Sequence, residues 1–281
     1  MTSPTEGQRP ERPVRRRQQT PPSDAASATA WGPELPDGVI WTDLDPAVRA
    51  QLRDMPLTLA ERVGGHLAAA GVLLQADPDL AYEHAQSARR LAQRVAAVRE
   101  AAGLTAYATG RWAEAIGELR AYRRFTGSAV HLPIIADCER ALGRPDRALE
   151  VAADPAAADL EPKAALELLL VRAGARRDLG QPEAALRLLD VSALRAGGRP
   201  SWLPRLRYAY ADTLLELGRR DEARTWFSAA AQVDPEATTD AAERLLELDG
   251  TVFHDSGDVA EADDLELADP GSGPSPGPEP G

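Results

Sequence analysis

A chain of 281 residues with 43% apolar and 27% charged side chains has the means to bury a core, and at 5% aromatic that core is built from Ala and Leu rather than from large rings. The single cysteine, Cys138, excludes an intramolecular disulfide and a multi-cysteine zinc site. A net charge of −12, from 32 Lys and Arg against 44 Asp and Glu, argues against nonspecific nucleic-acid binding by the molecule as a whole.

Residues 1–23 hold five Arg and two Glu among prolines, while residues 250–281 hold eight acids, no cations and a Pro-, Gly- and Ser-rich end. Neither end has the apolar surface to offset the entropy of ordering. Residues 1–40 are therefore expected to form a disordered Pro/Arg-rich arm, residues 250–281 a disordered acidic tail, and residues 41–249 the folded domain, which carries −4. The basic cluster Arg15, Arg16 and Arg17 is followed by polar residues where a signal peptide needs an apolar stretch. The longest apolar run, residues 67–74, is interrupted by Gly71 and falls far short of the ~18–20 residues that span a bilayer. The chain is read as cytoplasmic, with no membrane association.

Within the domain, Asp45-Pro46 has the chemistry of a helix start, and Trp41 is placed to fold back on the first helix pair. Thr58 and Glu61 have the spacing of a capping box that opens the first long helix. One phrase then returns four times, from Gly110 to Ala115, Gly143 to Ala148, Gly180 to Ala185 and Gly218 to Ala223, with closing alanines 33, 37 and 38 residues apart. A degenerate copy without the glycine ends at Ala81, 34 residues before Ala115.

Each part of the phrase has a physical reason. The glycine closes a helix in the left-handed conformation, Pro145 and Pro182 suit the first turn of the next helix, and an acid there favours the helix dipole. The closing alanine lets the second helix approach the first, and a small residue seven before each glycine (Gly103, Ala136, Ala173, Ala211) faces it across the pair. Beyond the last copy, Asp240 to Glu243 begins one more helix, to about Leu248, as a cap.

These motifs resemble the tetratricopeptide repeat (TPR) family over residues 57 to about 235. The last copy matches best, with Ala211, Leu217, Gly218, Asp221, Glu222, Ala223, Phe227, Ala230, Asp234 and Pro235 in family register. The whole chain is also similar to a group of bacterial TPR proteins with low-complexity ends. The resemblance implies an all-α, TPR-type helical solenoid of about five helix pairs plus a C-terminal capping helix. Departures from the family pattern are Leu132, Leu169 and Arg207 at the Trp position, and Glu139 and Arg176 at a slot for large packing residues. Two second helices end early, near Ala153 and Asp190.

The residues offer no catalytic constellation: no Gly-x-Ser-x-Gly, no phosphate loop ahead of Lys163 and no His-Glu-x-x-His. Residues 255–266 have the length of a calcium loop, but Ala260 stands where Gly is required. His131 lies two turns from Cys138, at about 10 Å along a helix axis, so Cys138 reads as a buried core residue. His66, His84 and His254 have no partner at ligand spacing. No catalytic residue, metal or cofactor is expected, and the chain is not read as an enzyme.

In TPR arrays the first helix of each pair lines the concave face. Carried over, that register places Glu100, Tyr107, Asp137, Arg140, Arg177, Asp178, Arg205, Tyr208 and Asp212 on a partner-binding groove for a protein or peptide. Arg140 and Arg177, three residues before their turn glycines, either clamp an incoming carboxylate or stand as solvated charges. Glu139 and Arg176 either pair across repeats or reach solvent. The acidic tail either competes for the groove or only solubilises. The alternative function is RNA association through Arg9, Arg12 and Arg15 to Arg17, against the reading of a merely solvated arm.

Overall fold

A computed structural model describes residues 32–250. The expectations for residues 1–31 and 251–281 (the arginine arm, the acidic tail, His254 and the segment 255–266) lie outside the described residues. The described chain is all-helical, with 12 α-helices and no strand. No helix among the described residues is long and apolar enough to cross a membrane.

A short lead comes first. Helix α1 (Pro46–Ala50) starts on Asp45, whose carboxylate accepts from the Ala47 amide, with Pro46 in the first turn. Ahead of it the chain lies on the first long helix: a methyl group at Gly64 would come within 2.8 Å of the Trp41 Cβ, and one at Gly65 within 2.7 Å of a Leu35 methyl. Gly32 and Leu35, within the span expected as an arm, thus lie against the first two long helices.

Ten helices follow as five antiparallel pairs. They are α2 (Leu57–Leu73) with α3 (Pro78–Ala92), α4 (Ala96–Ala108) with α5 (Trp112–Thr126), α6 (Leu132–Ala141) with α7 (Pro145–Ala152), α8 (Pro162–Asp178) with α9 (Pro182–Leu189), and α10 (Leu203–Glu216) with α11 (Arg220–Ala231). Helix α12 (Ala241–Leu248) packs on α11. Each helix from α2 on touches its neighbours in the chain, and first helices of successive pairs meet where α2 touches α4, α6 touches α8, and α8 touches α10.

The last four pairs share one turn. Gly110, Gly143, Gly180 and Gly218 have φ of 71°, 70°, 68° and 73°, a conformation in which a Cβ would be strained. In each, the following amide returns to the carbonyl five residues back: Arg111 to Ala106 at 2.8 Å, and Arg144 to Glu139, Gln181 to Arg176 and Arg219 to Leu214 at 2.9 Å. This is the Schellman closure, which satisfies the orphan carbonyls of the first helix. The alanine five residues on is then buried in every pair, from Ala115 to Ala223, as is Ala81 in the first. Gly103 marks a close crossing of α4 and α5, where a Cβ would meet the buried Leu119 side chain at 2.5 Å.

Three local outcomes differ from the sequence reading. The Thr58–Glu61 capping box does not form, because α2 begins two residues earlier: the Pro56 carbonyl accepts from the Leu59 and Ala60 amides, and Thr58 sits within the exposed first turn. Arg207, at the slot where the resemblance expects Trp, is a three-way clamp, donating to the carbonyls of Leu194, Ala196 and Ala229. It secures the loop that follows the short helix α9. Of the two alternatives for Glu139 and Arg176, pairing across repeats is absent, and Glu139 does not reach solvent either. Glu139 faces back to the preceding pair and is buried against Arg120 at 3.0 Å and Arg144 at 3.6 Å. Arg176 instead donates to Gln181 at 2.7 Å, across its own turn.

Candidate functional site

The first helices α4, α6, α8 and α10 carry all nine residues singled out above, and the fold joins them into a ladder of polar contacts between pairs. It starts on α4, where Glu100 Oε1 lies 2.7 Å from Nε2 of His131, the residue that opens α6. Two turns along α4, the Tyr107 hydroxyl donates to Asp137 Oδ2 at 2.7 Å. Arg140 donates through Nη1 to the other oxygen of Asp137 at 3.2 Å, and forks through Nε and Nη2 onto Asp178 at 2.7 and 3.3 Å.

The next rung again joins an arginine to two carboxylates, here both on α10. Arg177 donates through Nη1 to Asp212 at 2.7 Å and through Nε to Glu216. Arg205 reaches back to Glu167 on α8, and Asp212 also faces Arg244 of the cap at 3.7 Å. Tyr208 closes the series with a hydrogen bond to Asp240, and burial together with that carboxylate pushes its hydroxyl up to about 12. Burial and the Asp137 carboxylate likewise hold the Tyr107 hydroxyl well above the usual phenol range. Both tyrosines therefore stay protonated donors at neutral pH.

The repeat geometry explains the ladder. Arg140 and Arg177 stand three residues before their turn glycines, near the C-terminal ends of α6 and α8, and each reaches the corresponding end of the next first helix. Gly174 makes room for the first crossing, since a Cβ there would come within 2.5 Å of the Arg140 guanidinium carbon. The sequence reading offered Arg140 and Arg177 as donors to an incoming carboxylate. In the structure those donors face Asp137, Asp178, Asp212 and Glu216 of the chain itself. These carboxylates remain between a quarter and about two fifths exposed.

Elsewhere the structure assigns partners that sequence spacing concealed. His66 on α2 and His84 on α3 bring their Nδ1 atoms to 2.9 Å, both rings buried. One Nδ1 must carry a proton and the other accept it. Burial holds His84 below the usual histidine range. Glu118 is buried between Arg89 at 2.7 Å and Arg99 at 2.6 Å. Cys138 is fully buried and its thiol is pushed up to about 12, chiefly by desolvation. His131 turns away from it to Glu100, with its ring edge-on to Tyr122 at 5.0 Å.

Among the described residues no group of three or more His, Cys, Asp and Glu side chains is arranged to hold a metal ion. No protein-family model and no curated protein matches this sequence.

Proposed function

We propose that this chain is a noncatalytic TPR-type solenoid that acts as a scaffold or adaptor, receiving a protein or peptide segment along the face of its first helices. The observation that carries the reading is the placement of the ladder. Partly exposed tyrosines, arginines and carboxylates run across four successive pairs on one helix of each pair, where a protein ligand can exchange hydrogen bonds with them. Their pairing within the chain supports a preorganised surface: rim charges of this kind direct encounter and select partners more than they add raw affinity.

The test uses photocrosslinking residues in the full chain. Ala108 on α4 and Ala141 on α6 are exposed beside the ladder, whereas Ala113 and Gly117 are exposed on the second helix α5. Protein crosslinks from positions 108 and 141, insensitive to nuclease, are the expected result. Crosslinks confined to positions 113 and 117 would place the partner on the other face and overturn the reading. Adducts that vanish with nuclease and with removal of residues 1–31 would transfer the function to RNA and to Arg9, Arg12 and Arg15 to Arg17.

A further inference from the structure

At the start of the ladder the same face opens into an apolar cleft of about 170 Å³. Val48 of α1, Leu67 of α2 with Leu74 just past its end, and Ala101 and Leu104 of α4 line it. Cavities of about 150 Å³ hold one benzene ring, so the cleft has room for a single large apolar side chain. Glu100 is the one ionisable group in its wall. Its neighbour across the ladder is an imidazole, that of His131, rather than an arginine.

The cleft and the ladder are continuous. Glu100, Leu104 and Tyr107 follow one another at i, i+4 and i+7 on α4 and so share a stripe. From the cleft the stripe leads to the hollow between α6 and α8 that Asp137, Arg140 and Asp178 line. Along this path acid exceeds base: six carboxylates (Glu100, Asp137, Glu167, Asp178, Asp212, Glu216) meet four guanidiniums (Arg140, Arg177, Arg205, Arg244). An anion approaching Arg140 or Arg177 would have to displace a carboxylate that is already seated. A cation needs to displace nothing to meet Glu100, Glu167 and Glu216, each of which commits only one carboxylate oxygen within the ladder.

We infer that this face takes a cationic peptide segment of a partner protein, anchored by one large apolar side chain in the cleft between α2 and α4, with Lys or Arg residues following along Glu100 toward Asp137. The inference rests on the scaffold reading and deepens it by naming the partner's chemistry. The spacing is set by the helix: Glu100 to Tyr107 spans about 10 Å, or about three residues of extended chain. The apolar anchor therefore precedes the first basic residues closely.

Gly71 provides the decisive variant. It is exposed on α2 in the wall of the cleft, and a Cβ there meets no atom within 4 Å, so Gly71→Phe fills the cleft with no clash at its root. The probes are labelled synthetic peptides of Lys, Arg and Gly with one Phe ahead of the basic run, titrated against the full chain. Companions carry Ala for Phe, or Glu for Lys and Arg. Saturable binding of the Phe-containing basic probe is expected, weakened about tenfold or more by loss of the Phe or by Gly71→Phe, and weakened by salt as rim charges are screened. Glu100→Gln should weaken the basic probe and leave a neutral Phe probe unchanged.

Thermal melts of both variants establish that they are folded. Equal affinity for basic and acidic probes, or binding untouched in folded Gly71→Phe, would overturn the inference. So would concentration-dependent dimerisation of the wild-type chain that Gly71→Phe abolishes, which would give the cleft to a second copy. Photocrosslinking from positions 108 and 141 with an inert cleft would leave the scaffold reading standing and reject only this one.

Discussion

Arginine–carboxylate pairs occur at two depths in this molecule. Within and between pairs, Glu118 and Glu139 are buried to a few per cent exposure and met by arginines from other helices or turns. Along the first helices, the carboxylates facing Arg140 and Arg177 stay between a quarter and about two fifths exposed. The chemistry is the same and the consequence differs. A buried carboxylate stripped of its arginine has nowhere to find water, so those pairs lock helix packing. An exposed pair is nearly balanced by solvation, so its loss costs the fold little.

The largest effect that could break this contrast is Arg99→Ala. Its removal leaves Glu118 buried with Arg89 alone, and a loss of about 3 kcal/mol in urea unfolding is expected, near the lower end for broken buried pairs. A loss below half of that would place the two sets of pairs in one class. Next is Ala223→Leu at the crossing of α10 and α11, where Ala223 is fully buried and overpacking should cost about 1–3 kcal/mol.

The histidine pair sharpens the comparison by pH. His84 is held below the usual range by burial, with His66 and Glu83 its titratable neighbours. The unfolded chain therefore binds a proton at His84 more readily than the folded one does. Stability is full above the unfolded histidine pKa of ~6.5 and falls as the pH drops below it, by about 1 kcal/mol per pH unit at the start. His84→Gln should flatten that decline between pH 7.5 and 5.5, relative to the wild-type curve. A wild-type curve that is already flat there would show that the pair is not a neutral lock. The smallest effect belongs to the ladder: Arg140→Ala should cost less than about 1 kcal/mol while altering probe affinity. A double-mutant cycle of Arg140 with Asp178 should give a correspondingly small coupling on stability.

How much of this was legible in the sequence follows from the range of each interaction. Glycines 110, 143, 180 and 218 announced their turns because the left-handed conformation is a local demand, and all four adopt it. The Asp45 cap, the early ends of α7 and α9, and the final helix were legible for the same reason. Thr58 misled because Pro56, two residues earlier, already supplies the first helical carbonyl.

The candidate site was legible as positions and not as pairings. Tyr107 and Asp137 are 30 residues apart, Arg140 and Asp178 38, and Arg177 and Asp212 35, so each partner comes from the next repeat. A repeat register names the face, but it does not say which charge a long side chain reaches. Neither alternative for Glu139 named Arg120 on that ground, since its direction along the stack depends on packing. His66 and His84, 18 residues apart, meet only because α2 and α3 fold back on each other. A search for conventional ligand spacings passes over such a pair.

The nearest-neighbour pattern of contacts has a consequence for how the molecule comes apart. Helices touch mainly those one or two places away in the chain, so losing an end exposes one neighbour and leaves distant pairs intact. Backbone amides should then lose their protection against deuterium in a gradient, fastest in α12 and the last pair and slowest in the middle, rather than in one all-or-none event. On that account the Arg224–Asp249 contact and the hydrogen bond from Arg220 to the Leu248 carbonyl are the fastenings that keep the C-terminal end from fraying.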